Sequence, residues 1–527
     1  MKAGIFIAIF LVAFIAAPLA SLFNASDLLS DQQSSIKELW FSTYFRRVVF
    51  FSLWQAFLST LLSVVIGLFV ARAFVRFTHF PFRKLILGLF GLPLVVPAVV
   101  AVLGIVSVYG KQGWLPLDQN LYGLTGILLA HCFFNIPLVV RLLIPTWNTI
   151  PQQHWRMASQ LQFTSWQQWK HIEWPALREN LPSVGLLIFM LCLTSFAVVL
   201  TLGGGPRSTT LEVAIYQSLR FDFDPEQAVI LAILQLFISG IVAFIATRFS
   251  KLPDVEPHLN ASQNIRLVSQ GFFDRISQPL LIVITVVFVV SPMLAMFIDA
   301  LNGPVLEVLV DIKLWKATAF SLFIGLSAAT LSICLAWFLL SASAEASYRH
   351  KPFMANTLLL IGSMIFMVPP LVIGTGLFIM LADYINVFEW AIVFVILING
   401  LMGLPFIIRT LGPAIRQNTM KYNKLCTSLN LTRWQRFKTI DFPLLRKPLG
   451  LSTALVTTIA IGDLGVIALF GSPETATLPL LLYQRLSSYQ IQHAAVTAAF
   501  LLALSLCMFW LLERIIGGST KHDSQQD

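Results

Sequence analysis

Apolar runs long enough to cross a membrane follow one another along most of this chain. A membrane-spanning helix needs about 20 consecutive, mostly apolar residues. Such runs occur near residues 4–23, 48–71, 85–108, 121–144, 183–202, 227–247, 277–298, 317–341, 356–381, 390–412, 449–470 and 492–512. Backbone polar groups in lipid must be satisfied within the segment, so each run is predicted to be a helix. The sequence therefore predicts an all-α polytopic membrane protein with about twelve transmembrane helices.

Composition excludes an ordinary soluble protein. Hydrophobic residues make up 57% of the chain and charged residues only 11%, whereas soluble domains carry about 25% charged residues. The net charge of +10 could suggest a nucleic-acid surface, but lysines and arginines in cytoplasmic loops produce the same excess. Their distribution between loops predicts that both termini are cytoplasmic. The first apolar run is longer than the core of a signal peptide, so we expect it to be retained.

The longest polar stretch of the front half, residues 141–178, occurs a second time at residues 409–446. The matches at this offset of 268 residues (409 minus 141) include Arg141 with Arg409, Pro145 with Pro413, Leu161 with Leu429, Trp166 with Trp434, Ile172 with Ile440, and Pro175 with Pro443. Matches continue outside the loop, where Gly203 falls on Gly471 at the same offset and Gly104 falls on Gly376 at an offset of 272 residues (376 minus 104). Two six-helix halves in the same orientation are therefore predicted, as a parallel repeat.

The repeat predicts the domain boundaries. We expect a first repeat over residues 1–255 with its polar loop at 145–180, and a cytoplasmic linker over 256–276. The second repeat spans 277–516 with its loop at 413–448, and a polar cytoplasmic tail covers 517–527.

Each copy of the loop carries large apolar residues at near-helical spacing. The first copy has Leu161, Trp166, Trp169 and Ile172, and the second has Leu429, Trp434, Phe437 and Ile440. Exposed aromatic residues on a helix suit a hydrophobic groove of another protein. The alternative is that these side chains pack on the chain's own helix ends or in the lipid headgroups. Two copies at equivalent places favour a two-fold partner.

Sequence motifs for catalysis and metal binding are missing. The chain has no GxxxxGK[ST] phosphate-binding loop, no HExxH and no GxSxG, and its five cysteines lack metal-ligand spacing. No catalytic residue, metal site or cofactor is therefore predicted in this chain. Energy for any transport must come from a partner.

The two loops resemble the EAA loop of the membrane permeases of ABC importers, which reads E-A-A, three residues, G, about nine residues, I, two residues, P. The first copy carries Ala158, Leu161, Ile172 and Pro175, and the second carries Leu429, Ile440 and Pro443. The copies depart from it at the glutamate position, which is Arg156 or Lys424, and at the glycine position, which is Gln162 or Asn430. Asn tolerates a left-handed turn better than Gln does.

This resemblance implies the type I importer permease fold. It also implies that each loop forms a short coupling helix in a groove of one subunit of a homodimeric cytoplasmic ATPase, which binds the ATP and Mg. The coupling residues would be Arg156, Ala158, Leu161, Gln162, Trp166, Trp169, Ile172 and Pro175, with Leu429, Asn430, Trp434, Phe437, Ile440 and Pro443. Pro175 and Pro443 are expected to end the coupling segments, because proline cannot continue a helix.

A longer match narrows the family. Residues 195–217 and 221–225, with His171 to Pro175, are similar to the thiamine and thiamine pyrophosphate permeases of Gram-negative bacteria, which are fused twelve-helix proteins. This likeness implies a multi-pass protein of the bacterial inner membrane and a periplasmic thiamine-binding protein as partner. The fused ferric-iron permease shares the architecture and is the alternative. A major-facilitator transporter is less favoured, because residues 72–84 lack its GxxxDRxGRR pattern.

Two features suggest a transport path. Gly203, Gly204, Gly205 and Gly471 stand at the outer ends of predicted helices, where they form either a gate or ordinary turns. Asp463 is an acidic residue well inside a predicted span, and Ser195 is its counterpart in the first half. A carboxylate at this depth costs about 2.5–3.5 kcal/mol, so it faces a cavity or pairs internally. A site for a cationic substrate and a pair with a neighbouring helix are the two interpretations.

Overall fold

The computed structural model describes residues 2–29, 42–77, 80, 82–116, 121–249, 272–472 and 474–518. All regular secondary structure in these ranges is helical. The helices are α1 (Lys2–Leu29), α2 (Thr43–Arg76), α3 (Arg83–Leu89), α4 (Ala98–Tyr109), α5 (Leu124–Asn148), α6 (Gln152–Gln160), α7 (Ser165–Gln168), α8 (Trp174–Leu193), α9 (Phe196–Leu202), α10 (Leu211–Arg220), α11 (Pro225–Phe249), α12 (Phe272–Leu301), α13 (Val305–Val310), α14 (Ile312–Tyr348), α15 (Pro352–Met364), α16 (Pro370–Leu381), α17 (Ala391–Ser428), α18 (Arg433–Arg436), α19 (Phe442–Gly462), α20 (Gly465–Phe470), α21 (Leu478–Ser487) and α22 (Ile491–Gly517).

Ten helical segments among the described residues are long and apolar enough to cross a membrane. The other two predicted spans are the third of each half, and both are broken. Residues 85–108 form α3, a 3-10 turn at Leu92–Leu94 and α4, and residues 356–381 form α15, a 3-10 turn at Ile365–Met367 and α16. Pro97 and Pro369 stand directly before α4 and α16. Their missing N–H groups and restricted preceding residues break the helices at equivalent places.

The structure confirms the fold class, and its compact units do not follow the sequence repeats. One unit comprises the described residues within 37–213 and 237–301, and the other those within 1–36, 214–236 and 302–527. The first helix of each repeat packs in the unit that holds most of the other repeat. Helix α1 packs on α14, α15 and α16, whereas α12 packs on α2 and α4. Most of the predicted linker, as far as residue 271, and the tail from residue 519 lie outside the described residues.

Two glycines at matching positions, one on α4 and one on α16, lie where these exchanged helices cross. A Cβ atom on Gly104 would come within 2.4 Å of the Pro292 carbonyl oxygen, and one on Gly376 within 2.5 Å of the Pro18 carbonyl oxygen. In addition, the Ser21 hydroxyl donates to the Gly376 carbonyl at 2.8 Å. Glycine allows helix backbones to approach closely in a membrane. The matched pair is therefore explained by two equivalent helix crossings.

A buried polar stripe on α2 holds the first-repeat helices together. Ser52, Gln55, Ser59 and Ser63 lie on this helix and are fully buried. The Ser59 hydroxyl pairs with His131 Nδ1 of α5 at 2.8 Å, and Gln55 Nε2 donates to the Cys192 carbonyl of α8 at 3.0 Å. Hydrogen bonds between membrane helices contribute roughly 1 kcal/mol each. Together they fix α2 against α5 and α8.

Candidate docking segments and transport path

The two polar loops, which we call the docking segments after their predicted role, fold in closely similar ways. The first docking segment, residues 152–173, consists of α6, a turn, α7 and a π turn at Trp169–Glu173; the second, residues 420–441, consists of the end of α17, a turn, α18 and a π turn at Phe437–Asp441. Pro151 separates α5 from α6, whereas Thr419 at the equivalent position lets α17 continue to Ser428. The chain therefore reaches the first segment through a break in the helix at Pro151 and the second segment through a continuous helix.

Both segments turn at the position where the related loops carry glycine. Gln162 has φ 51° and Asn430 has φ 47°, in the left-handed region. The N–H of Gln162 donates to the Ser159 carbonyl at 3.1 Å and that of Phe163 to the Ala158 carbonyl at 2.9 Å, and Asn430 and Leu431 make the same two bonds in the second copy. These bonds form the Schellman motif that ends helices. The sequence predicted the position of the bend, and the structure has it in both copies.

A capping box starts the helix after each turn. The Thr164 hydroxyl accepts from the Gln167 N–H at 3.3 Å, and the Gln167 side-chain oxygen accepts from the Thr164 N–H at 2.8 Å. Thr432 and Gln435 repeat this arrangement at 3.3 and 2.9 Å. Reciprocal bonds of this kind satisfy backbone donors that a helix start leaves free. The direction of each docking segment is thus set by local hydrogen bonds.

Each segment presents three apolar side chains to the outside, which we call its outer face. The first outer face is Met157, Leu161 and Trp166, and the second is Leu425, Leu429 and Trp434. All six side chains are between 50% and 70% exposed. Sequence analysis missed Met157 and Leu425, although the 268-residue offset relates them. An apolar trio exposed at equivalent places of two repeats is typical of an interaction surface.

Four of the other predicted coupling residues, Ala158, Trp169, Ile172 and Phe437, lie against the chain's own helices, whereas Arg156, Gln162, Asn430 and Pro443 are exposed. Ala158 and Ile172 are buried. The Trp169 ring stacks on Phe69 of α2 with centroids 6.5 Å apart, and the Phe437 ring meets the edge of Trp337 of α14 at 5.1 Å. These residues therefore support the segments from inside and do not offer free anchors. Trp169 and Phe437 thus pack on the chain's own helices, as the alternative interpretation expects. Leu161, Trp166, Leu429 and Trp434 are exposed, and their contact with a partner stays a prediction; Ile440 is half-buried.

Exposed cations flank both outer faces. Arg156 and Lys170 are exposed in the first segment, and Lys424 and Lys438 are exposed at the equivalent positions of the second. The acidic residue of each segment, Glu173 or Asp441, lies on the inner side. Each outer face is therefore apolar with a positive border.

A buried ion cluster attaches the first docking segment to α2. Glu173 is fully buried and accepts from Arg72 Nε at 2.8 Å and Arg76 Nη2 at 2.7 Å. Trp147 Nε1 donates to the same carboxylate at 3.3 Å. The two arginines also donate to Ser165, Arg72 to its carbonyl and Arg76 to its hydroxyl, both at 3.1 Å. Sequence analysis did not single out this cluster, because its members are about one hundred positions apart.

The second segment holds its carboxylate differently. Asp441 pairs with Arg436 of the same segment at 3.2 Å, and Arg436 Nη1 donates to Asn423 Oδ1 at 2.8 Å. Both partners of the ion pair are partly exposed. The carboxylate of the first segment therefore pairs with arginines of α2, whereas the carboxylate of the second segment pairs with an arginine of its own segment.

The two prolines differ from expectation. Pro175 and Pro443 occupy the first turns of α8 and α19. A proline there lacks only an N–H that the helix start leaves free, so it does not terminate anything. The expectation that they end the segments as helix breakers is wrong in its mechanism, since the chain continues into a helix through each proline.

The glycines of the predicted gate form two dissimilar turns. Gly204 and Gly205 have φ 68° and 121°, which glycine adopts without strain. Gly203 and Gly471 have ordinary backbone angles, but a Cβ on either would come within 2.5 Å of a carbonyl oxygen one turn earlier. Arg220 Nη2 donates to the Gly471 carbonyl at 2.7 Å. The second turn is therefore held by an arginine from α10.

Asp463 and Ser195 lie where a membrane helix is interrupted. Asp463 separates α19 from α20, and its two carboxylate oxygens accept from the N–H groups of Gly465 and Val466 at 3.2 and 3.3 Å. Ser195 separates α8 from α9, and its side chain makes no such cap. A half-buried carboxylate at a helix start is stabilised by the free N–H groups there. The structure thus gives Asp463 a capping role that sequence analysis did not consider.

Comparison with known proteins identifies the family to which this chain belongs. Residues 63–251 and 338–517 each match the family described as binding-protein-dependent transport system inner membrane component. The thiamine transport system permease protein of Salmonella typhimurium is 41% identical over 494 residues, which cover 92% of this chain and 92% of that protein. That of Haemophilus influenzae is 38% identical over 525 residues, covering 96% and 94%. A probable sulfate transport system permease of Marchantia polymorpha is 29% identical over 202 residues, which are 37% of this chain and 69% of that protein. The chain therefore belongs to the binding-protein-dependent transport system inner membrane components, as a multi-pass permease that contains the family domain twice.

Proposed function

We propose that this chain is the translocation subunit of an ATP-driven importer that carries thiamine and thiamine phosphates across the bacterial inner membrane. The observation that carries the proposal is the 41% identity, over 92% of the chain, to permeases named for thiamine transport. A periplasmic thiamine-binding protein delivers the cargo, both termini face the cytoplasm, and ATP and Mg are bound by a separate ATPase. Lysines and arginines in the loops on the docking side support this orientation.

The docking segments support an ATPase with two identical subunits. The two outer faces carry apolar residues at the same spacing, Met157 or Leu425 followed by a leucine and a tryptophan, and they have the same turn, the same cap and cations at the same positions. Two nearly equal surfaces in one chain suit two copies of one groove. One outer face per ATPase subunit is the arrangement we propose.

The first prediction concerns docking. Trp166→Ala and Trp434→Ala together should reduce the ATPase that co-purifies with the chain and lower uptake in proportion. Buried aromatic anchors cost about 2 kcal/mol or more when truncated at an interface, roughly thirtyfold in affinity. Both side chains are mostly solvent-exposed in this chain, so its own stability should hardly change. Quantitative co-purification and thermal unfolding in detergent measure the two effects.

Trp390→Ala is the matched control, because this exposed tryptophan stands immediately before α17, whose other end enters the second docking segment. It should leave ATPase association unchanged. Normal assembly of the Trp166/Trp434 double variant would contradict the docking assignment.

The second prediction concerns the cargo. Thiamine is a cation, and we expect the Asp463 carboxylate to attract it weakly along the path. Asp463→Asn should reduce thiamine uptake with assembly intact, because Asn still caps the α20 N-terminus while the charge is lost. Asp463→Ala should in addition lower thermal stability by about 1 kcal/mol. Equal uptake by Asp463→Asn and the parent would exclude the charge from the path.

Growth tests the substrate independently of Asp463. A strain that cannot make thiamine and lacks this chain should fail to grow on limiting external thiamine. Normal growth there, with a defect on limiting ferric iron, would assign the cargo to iron.

A further inference from the structure

Two long helices connect the docking side of this chain to the helices that follow the glycine turns. In the first half, Ser52 near the outer end of α2 accepts the Leu211 N–H at the start of α10 at 2.9 Å. In the second, Ser321 of α14 accepts the Leu478 N–H at the start of α21 at 2.8 Å. Both serines are buried. The outer attachments of α2 and α14 are therefore equivalent.

The inner attachments are not equivalent. Helix α2 holds the first docking segment through two arginines that pair with the buried Glu173. Arg72 Nε lies 2.8 Å and Arg76 Nη2 lies 2.7 Å from the carboxylate oxygens of Glu173. The Arg72 guanidinium also lies over the Trp169 ring, 4.9 Å from its centroid. Among the described side chains, α14 contacts the second segment through the Trp337 and Phe437 rings, which match Phe69 and Trp169. Asp441 is paired inside its own segment.

These two attachments respond differently to force. Charge-assisted bonds from two arginines to one carboxylate are directional, and separating them leaves buried charges uncompensated. An aromatic edge contact is non-directional and weaker, so the rings can slide and still touch. A displacement of the first segment must therefore carry α2 with it, whereas the second segment can shift against α14.

We propose that Glu173 is a positioning residue that makes α2 the rigid connection between the first docking segment and the start of α10, while the second half has a compliant connection. The inference rests on the proposed docking function. It assigns the two ATPase contacts unequal mechanical roles. Movement imposed at the first segment reaches α10 through Glu173, Arg72, Arg76 and Ser52.

The test compares Glu173→Gln with the matched variant Asp441→Asn in the reconstituted complex with its ATPase. Three quantities are measured: the ATPase bound, ATP hydrolysis stimulated by loaded binding protein, and cargo moved per ATP. Glu173→Gln should keep ATPase binding and lower cargo per ATP about fivefold, within the range by which residues along a coupling path modulate linkage. Asp441→Asn should lower cargo per ATP by less than about twofold, because its ion pair lies inside the second segment. Glu173→Asp, which keeps the charge, should retain most of the parent's cargo per ATP.

A double-variant cycle locates the connection. Ser52→Ala should add little to the loss caused by Glu173→Gln, because both interrupt the same connection, whereas Ser321→Ala should add its full separate effect. If Glu173→Gln fails to insert, Arg76→Lys replaces it, since lysine keeps the charge but cannot reach Glu173, Gln168 and Ser165 together. Arg76→Lys should likewise lower cargo per ATP.

Two results would overturn the inference. Equal effects of Glu173→Gln and Asp441→Asn on cargo per ATP would make the halves mechanically alike. Loss of bound ATPase in Glu173→Gln would show that Glu173 is needed for assembly and would contradict its positioning role. The docking proposal would still stand in that case. It fails only if the parent chain binds no ATPase or if the outer faces are dispensable for binding.

Discussion

Gln162 and Asn430 show how much a single residue can differ while the backbone stays the same. Both adopt the left-handed conformation at the end of a helix, and the same two hydrogen bonds close each turn. A left-handed residue with a branched or long side chain carries steric strain that glycine lacks. The first docking segment therefore contains a strained residue where the second contains a tolerated one.

The third prediction follows from this strain. Gln162→Gly should raise thermal stability by about 1 kcal/mol, and Asn430→Gly should raise it less, because Asn tolerates the left-handed region. Ser159→Gly, three residues earlier inside α6, should instead lower stability by about 0.5–1 kcal/mol. Thermal unfolding of the purified variants measures all three. An equal gain at both turn positions would show that strain does not distinguish them.

At the residue scale, the sequence predicted where the contact residues lie along the chain but did not predict which way their side chains point. The resemblance to the EAA loop located the bend at Gln162, and the repeat located the aromatic residues around it. It could not separate Trp166, which is exposed, from Trp169, which packs on Phe69, because both lie in one amphipathic pattern. Nor could it pair Glu173 with Arg72, since contacts between distant positions leave no periodic signal.

At the scale of elements, hydropathy predicted the long helices and missed their interruptions. An apolar run stays apolar across Pro97 or Pro369, so the third span of each half read as continuous although the backbone is broken there. Only the prolines in these runs indicated that the helices are broken there. The exchanged packing of α1 and α12 had no comparable sequence signal.

The fourth prediction tests that exchanged packing. Gly104→Ala and Gly376→Ala should each destabilise the protein by roughly 2 kcal/mol, because the added methyl group meets a proline carbonyl and overpacks the helix crossing. Gly240→Ala is the control: no atom lies within 4 Å of a Cβ there, so alanine should be neutral or stabilise by up to about 1 kcal/mol. Unfolding midpoints in detergent measure the difference. Equal behaviour of all three glycine variants would contradict close contact at the two crossings.

At the scale of the whole molecule, the orientation in the membrane is a prediction from charge. From the positive borders of the outer faces, we predict that both docking segments lie in the cytoplasm. The broken third spans do not alter this, provided that each still brings the chain across.

The fifth prediction makes the orientation measurable. In a cysteine-free background, Ser208→Cys should react with an impermeant thiol reagent added to intact spheroplasts. Ser159→Cys, which lies in the first docking segment, should react only after the membrane is opened. Labelling of both from the periplasm would refute the crossing pattern.

The exchange of first helices also determines when the protein can finish folding during synthesis. Helix α1 leaves the ribosome before the surfaces it packs on, because α14 to α16 are translated about three hundred residues later. The first repeat likewise lacks its α12 cover when its own translation ends, leaving α2 and α4 uncovered on that side. Neither repeat can therefore complete its packing by itself. A gene split at the linker would yield two fragments that mature only when each supplies the other's missing helix.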